Sequence, residues 1–317
     1  MAPKCPENDC WAPEIACNLG WDLAQCPHYK AIVKETDASN ATPTDFLLPW
    51  SGNSLGMVDL HFIAGRSRPT VIGIIGAPNA GKTTLLTAFY LLTCKGNQLL
   101  GRRFAGSYTL GGWENLAHSL RWTSTHGPHF PPHTPNDAGR LPGLLHMAFR
   151  REDDTLEDVL FTDAPGEWFE RWAIDKDASD IEGARWINRN TDAFMLLVDS
   201  DALSGPDRGE ARTNIILLSQ RLSSELLNRP IAIVWSKSDK AVNKTIREAL
   251  NSNFRNLFAH HTQFAVSVQR DENQFEVTEN PFIELFSWLL ESRRPIDSRD
   301  LQLPVIQTHD ALLSFRG

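Results

Sequence analysis

Gly76-Ala77-Pro78-Asn79-Ala80-Gly81-Lys82-Thr83 is an unbroken G-x-x-x-x-G-K-T run, lying between an apolar stretch at 71–75 and an amphipathic one at 84–92. A strand before it and a helix after it are what a phosphate-wrapping loop requires. The glycines let backbone N–H groups turn inward, Lys82 reaches the β- and γ-phosphates, the Thr83 hydroxyl ligates Mg²⁺, and the helix opening at Thr84 aims its positive end at the anion. The run implies a nucleoside triphosphate site.

Two downstream motifs bear on the base. Asp163-Ala164-Pro165-Gly166 closes an apolar strand at 159–162, so Asp163 is placed to hold Mg²⁺ through water and the Gly166 N–H to meet the γ-phosphate. Ser236-Lys237-Ser238-Asp239 ends another buried strand, at 231–235. It is a variant of N/T-K-x-D, in which the Asp239 carboxylate accepts from guanine N1–H and the 2-amino group while the aliphatic stem of Lys237 covers the ring. Adenine would leave that carboxylate without donors. Ser236 departs from the usual Asn or Thr and forfeits the amide that tethers the phosphate loop.

The order of these motifs, phosphate loop, D-x-x-G, then K-x-D, is that of a GTPase. Ala265-Val266-Ser267, in a strand at 263–268, lies where a base-contacting loop belongs, which brings Ser267 into the candidate site. Strands at 144–149, 159–162, 193–198, 231–235 and 264–268 are mostly separated by helical stretches, among them 114–122, 208–227 with the stripe Ile215, Leu218, Leu222 and Leu226, and 281–290 behind an Asn280 cap. This alternation predicts an α/β fold, a mostly parallel sheet with helices on both faces and ligands at the carboxyl ends of its strands.

A GTPase also needs a switch threonine whose hydroxyl meets Mg²⁺. Thr134, in Phe130-Pro131-Pro132-His133-Thr134-Pro135, precedes the strand at 144–149 and is the favoured choice; Thr109 is the other. Where Ras-like GTPases place a water-orienting glutamine, this chain has Glu167. A carboxylate can accept from water but also repels the γ-phosphate unless its charge is offset, so hydrolysis is expected to be slow without a partner. Arg171 is the nearest cation, either offsetting Glu167 or forming a surface salt bridge. Trp168, Phe169 and Trp172 are either a partner surface or the buried face of a switch helix.

The first fifty residues read differently. Cys5, Cys10, Cys17 and Cys26 hold four of the five cysteines, separated by 4, 6 and 8 residues. Met1-Ala2-Pro3-Lys4 lacks the apolar core of a signal peptide and no stretch reaches transmembrane length, so a cytoplasmic, reducing setting is expected. There, clustered thiolates read as a closed Zn²⁺ site, with His28 able to replace one, against free thiols or a redox pair. Cys94 reads as core packing, and His126, His129 and His133 as a solvated loop. With 317 residues at 41 % hydrophobic content there is ample core for one nucleotide-binding domain plus a small appendage, and a net charge of −8 does not suggest nucleic acid as a partner.

Phe104-Ala105-Gly106-Ser107-Tyr108-Thr109-Leu110, the 130–134 segment and Asp163-Ala164-Pro165-Gly166-Glu167-Trp168-Phe169, together with the phosphate loop and the cysteine-rich start, resemble the double-GTPase family of bacterial conflict systems. The resemblance covers about residues 50–292. It implies a three-layer P-loop GTPase domain over 51–292; the cysteine spacing is what reads as a zinc-binding module and linker at 1–50, and the Arg- and Asp-rich segment after Ser292 reads as a tail at 293–317. It further implies a defence role beside a second GTPase or associated effector. Two readings stay open: an enzyme that hydrolyses GTP to GDP as a timer, and a nucleotide-gated assembly module with negligible hydrolysis. An adenine-specific ATPase is disfavoured by Asp239.

Overall fold

The computed structural model of the chain describes residues 17, 21–22, 25–26, 54–65, 67–96, 101–120, 142–268 and 281–292. The chain divides into two units, Met1–Leu48 and Pro49–Gly317, and every helix and strand among the described residues belongs to the second.

In chain order the strands are β1 (Thr70–Ile75), β2 (Arg103–Gly106), β3 (Gly143–Arg150), β4 (Leu156–Asp163), β5 (Ala193–Asp199), β6 (Ile231–Ser236) and β7 (Thr262–Ala265). They form one sheet in the order β2-β3-β4-β1-β5-β6-β7. Pairing is parallel from β4 through β1, β5 and β6 to β7, and antiparallel where β3 meets β4 and β2 meets β3. Central β1 is buried at every residue, the burial that an unbroken apolar run requires of a strand covered on both faces.

The helices are α1 (Leu60–Ala64), α2 (Lys82–Cys94), α3 (Leu110–Leu120), α4 (Gly166–Ile174), α5 (Glu182–Asn190), α6 (Ser200–Ser204), α7 (Arg208–Glu225), α8 (Lys244–Leu257) and α9 (Pro281–Glu291). Strand parity sorts them into two layers. Ile72, Ile74, Met195, Leu197, Ala232 and Val234 face α2, α3 and α9, through Phe89, Trp113 and Phe286 among others. Ile75, Phe194, Leu196, Ile233 and Trp235 face α4, α5, α7 and α8, through Phe169, Trp172, Ile187, Leu222 and Phe254. The arrangement is three-layered, helices on either side of a mostly parallel sheet. No helix among the described residues is long and apolar enough to cross a membrane.

Four differences from the sequence reading have physical causes. The helix expected over 208–227 ends at Glu225, because Leu227 and Asn228 take left-handed conformations (φ +52° and +59°) before Pro230. The strand expected over 263–268 ends at Ala265, which moves Val266 and Ser267 into the following loop. Strand β2 was not foreseen: it is four residues long, lies at the sheet edge and is largely exposed, so it has no apolar alternation to read. Cys94 is exposed rather than core-packed, since the buried stripe of α2 runs through Leu85, Leu86, Phe89, Tyr90 and Thr93 and leaves position 94 on the solvent flank. Asn280 lies outside the described residues.

At the end of the sheet away from the strand tips, one arginine joins three elements. Arg229, only 3 % exposed, donates to the carbonyls of Asn188, Thr191, Glu225 and Leu226 and stacks its guanidinium 4.6 Å from the Phe194 ring centroid. It thereby caps the C-terminal ends of α5 and α7, where cations complement the unsatisfied carbonyls. Arg229→Ala strips several buried acceptors of their donor and is expected to cost about 3 kcal/mol or more of unfolding free energy. Urea titration followed by tryptophan fluorescence measures it; a loss below about 1 kcal/mol contradicts the bracing role.

Candidate nucleotide-binding site

The phosphate loop turns from β1 into α2 with Asn79 and Gly81 at positive φ (+61° and +90°). The glycine makes that turn possible without a Cβ penalty. Lys82, the first residue of α2, folds back over the loop and donates to the carbonyls of Gly76 (3.0 Å) and Ala77 (2.9 Å). Burial lowers its pKa to about 8, opposed by the nearby charges of Asp163, Glu167 and Glu170. The ammonium is thus aimed, nearly dry, and within reach of three carboxylates.

From the end of β4, Asp163-Ala164-Pro165 leads directly into α4. Gly166 meets the phosphate loop so closely that a Cβ would stand 2.1 Å from the Pro78 nitrogen and 2.5 Å from the Ala77 carbonyl carbon. Both are backbone atoms that cannot yield, so only glycine fits. One turn on, Trp168, Phe169 and Trp172 are at most 5 % exposed and pack in the layer against β5 and β6. They are the inner face of the helix and not an exposed surface. Arg171 pairs with Asp180 at 2.9 Å on the surface, so the salt-bridge reading of that residue holds. Glu170 has its pKa raised, by burial first and then by Glu167 and Glu210, with Lys82 partly opposing.

The loop after β6 lies across from the phosphate loop. Ser236 is buried and donates to the Val198 carbonyl at 3.3 Å, turned toward β5. The Asp239 carboxylate accepts from the Ser267 hydroxyl at 2.6 Å and lies 3.4 Å from the Lys240 ammonium. Burial acts to raise its pKa, but the bonds from Ser267 and the backbone and the Lys240 charge outweigh it and hold the carboxyl below its ordinary range. The Ser238 N–H donates to the Val266 carbonyl at 3.1 Å, tying the loops after β6 and β7 together.

These pieces border one cavity of about 530 Å³. Pro78, Asn79, Gly81, Lys82, Thr83 and Thr84 line one end, with Gly166 and Glu167 beside them; Lys237, Asp239 and Ser267 line the other. Gly76, Ala77 and Ala80 stand behind that wall, two of them holding Lys82 through their carbonyls. Asp163 is not in the lining but acts electrostatically on Lys82. The sequence missed Asp201 and Lys240, which also border the cavity, and Asp199, whose carboxylate receives the Lys237 ammonium at 2.8 Å. An acidic residue after an apolar strand was the available signal for Asp199.

The two switch-threonine candidates separate. Thr109 is fully buried and accepts from the His146 backbone N–H at 2.8 Å, within a cluster where the Ser107 hydroxyl and the Trp113 indole donate to the His146 carbonyl. It anchors the start of α3 to β3 and does not border the cavity. Thr134 lies outside the described residues, as do Cys5, Cys10, His28, His126, His129 and His133. Of the other cysteines expected to bind zinc, Cys17 is half-buried and Cys26 buried, and neither forms a disulfide with a described residue. Among the described residues no three His, Cys, Asp or Glu side chains converge as a metal site.

The pattern of the Double-GTPase 2 family matches residues 70–289, from the first residue of β1 into α9. The chain belongs to that family. Membership in the Double-GTPase 2 family carries the class of ligand with it, a guanine nucleotide in a P-loop GTPase fold. No match was found among the curated proteins. Among solved structures, one assigned as nucleolar GTP-binding protein 1 of Plasmodium falciparum is similar at 15 % identity and a TM-score of 0.35, over 63 % of this chain and 77 % of that one. Double-GTPase 2 membership therefore rests on the sequence pattern.

Proposed function

We propose that this chain is a Mg²⁺-dependent GTP hydrolase acting as a molecular switch, its hydrolysis slow until a protein partner engages it. One observation carries the reading: a single cavity runs from Lys82 and Thr83 at one end to Asp239, oriented by Ser267, at the other. That span suits a nucleotide lying with its phosphates on the loop and its base edge on the carboxylate. Gly76 to Thr84 cradle the phosphates, Lys237 covers the base, and Asp239 selects guanine. The hydroxyl of Thr83 and the carboxylate of Asp163, beside the loop, are hard oxygen donors of the kind Mg²⁺ prefers, and Thr134 is proposed as a third. When bound, the ion neutralises charge on the β- and γ-phosphates.

In this reading Glu167 borders the phosphate end and orients the attacking water, and the Gly166 N–H senses the γ-phosphate. The backbone fit of Gly166 against the loop supports a switch, because a γ-phosphate arriving there must be accommodated by the start of α4. The second reading, a nucleotide-gated assembly module with negligible turnover, is favoured by Glu167 itself. Glu170, half-buried and close enough to interact with both Glu167 and Lys82, adds a second carboxyl near the phosphate end. Under either reading the partner is a second GTPase or an associated effector, in a bacterial defence setting and a cytoplasmic location. The zinc reading of Cys5, Cys10, Cys17 and Cys26 is kept as part of the proposal, and metal analysis of the purified chain tests it: about one zinc per chain supports it, and none overturns it.

Base selection gives the sharpest test. Asp239→Asn keeps one oxygen for N1–H but puts an NH₂ donor where the second oxygen accepted from the 2-amino group, and that donor suits the 2-oxo group of xanthine instead. GTP affinity is expected to fall by about 30- to 1,000-fold, and that for xanthosine triphosphate to rise above it. Titration calorimetry with both nucleotides reads the exchange; a variant that still prefers GTP removes Asp239 from the base site.

A further inference from the structure

We infer that Asp199, at the end of β5, is a positioning residue for the base site: it holds the ammonium of Lys237 so that the lysine stem lies fixed along the cavity wall. The inference rests on the nucleotide reading above and adds to it the group that orients Lys237. In the register of the sheet Asp199 stands opposite Ser236. The Ser236 hydroxyl is occupied with Val198 and tethers β6 to β5. The next residue, Lys237, sits at φ +48°, a left-handed conformation that a lysine adopts only when its surroundings hold it there.

What holds it is on the neighbouring strand. The Lys237 ammonium reaches Asp199 Oδ2 at 2.8 Å and lies 3.7 Å from Asp201 Oδ2. Most surface ion pairs contribute little because both side chains must be ordered to meet. Asp199 is ordered already: it is 10 % exposed, and its other oxygen accepts the backbone N–H groups of Asp201 (2.9 Å) and Ala202 (3.3 Å) at the start of α6. The lysine therefore docks on a preformed acceptor. With its backbone turned at one end and its ammonium held at the other, the stem between has little freedom. A purine slides against a surface already in place, which lowers the ordering cost of binding.

The test is a double-mutant cycle on GTP affinity, by titration calorimetry, with the wild-type chain, Asp199→Asn, Lys237→Met and the double variant. Asparagine keeps the cap on α6 because its amide oxygen still accepts, and methionine keeps an apolar stem without the ammonium. Each single change is expected to weaken GTP by about ten-fold, and the double variant to bind within about two-fold of the weaker single, since Asp199 acts only through Lys237. The ratio of GTP to inosine triphosphate affinity should stay at the wild-type value in Asp199→Asn, because the contact of Asp239 with the 2-amino group is untouched. Effects that add independently, or a Lys237→Met variant binding GTP as tightly as wild type, overturn the inference. The second result does so even if Asp199→Asn fails to fold. Should the wild-type chain bind ATP as tightly as GTP, the guanine reading fails and the same cycle run with ATP still decides whether Asp199 acts through Lys237.

Discussion

Lys82→Ala is expected to abolish tight nucleotide binding, a loss of about a thousand-fold or more in GTP affinity, while the chain remains folded. The ammonium is the one side-chain cation of the phosphate loop, it is buried beside the site and already oriented by Gly76 and Ala77, and a triphosphate brought there without it meets Asp163, Glu167 and Glu170 uncompensated. The lowered pKa adds a pH signature. In the free chain Lys82 is charged below about pH 8 and neutral above it, whereas bound phosphate favours the charged form, so the pKa rises on binding. Affinity should be flat below pH 8 and then fall, by up to about ten-fold per pH unit, until the pKa of the bound state is passed. Equilibrium binding from pH 6.5 to 9.5 measures this. A flat profile, or near-wild-type affinity in the alanine variant, contradicts the role given to Lys82.

Glu167→Ala should leave GTP affinity within a few-fold of wild type yet slow hydrolysis by about ten- to a thousand-fold, the range for a positioned acid–base group. The side chain borders the phosphate end of the cavity, where an acid–base group bears on the attacking water more than on the bound ground state. The two readings of the chain divide here. If it is an enzyme, single-turnover hydrolysis at saturating Mg²⁺ drops in the variant; if it is an assembly module, wild type and variant are equally slow. An unchanged rate, with and without a stimulating partner, removes Glu167 from catalysis.

The parts of the site legible in the sequence are those whose chemistry is local. Gly76 to Thr83 need only a strand before and a helix after, and both are there. Asp163 and Asp239 each end a buried apolar run, so the sheet had to deliver them to the same edge. Ser267 was expected near the base from its place in the motif order, but its bond to Asp239 joins residues 28 positions apart and depends on β6 and β7 pairing in register. The role of Asp199 was hidden for a related reason: its place after an apolar strand marks it as a candidate, but its partner became apparent only when the β5–β6 register set it opposite Ser236. Trp168 and Trp172 show the limit of composition, since aromatic residues next to a D-x-x-G motif fit either a docking surface or a core, and only the packing of α4 decides. Thr109 is a similar case, a motif threonine whose hydroxyl is committed to the backbone of a strand 37 residues away.

The central claim is that the cavity selects guanine through Asp239, and direct competition on the wild-type chain tests it most closely. With labelled GDP bound in the presence of Mg²⁺, unlabelled GTP and ATP are titrated as competitors and their displacement constants compared. Because adenine offers that carboxylate neither N1–H nor a 2-amino group, GTP should compete at least about a hundred-fold better than ATP. Equal displacement by the two nucleotides would contradict the account.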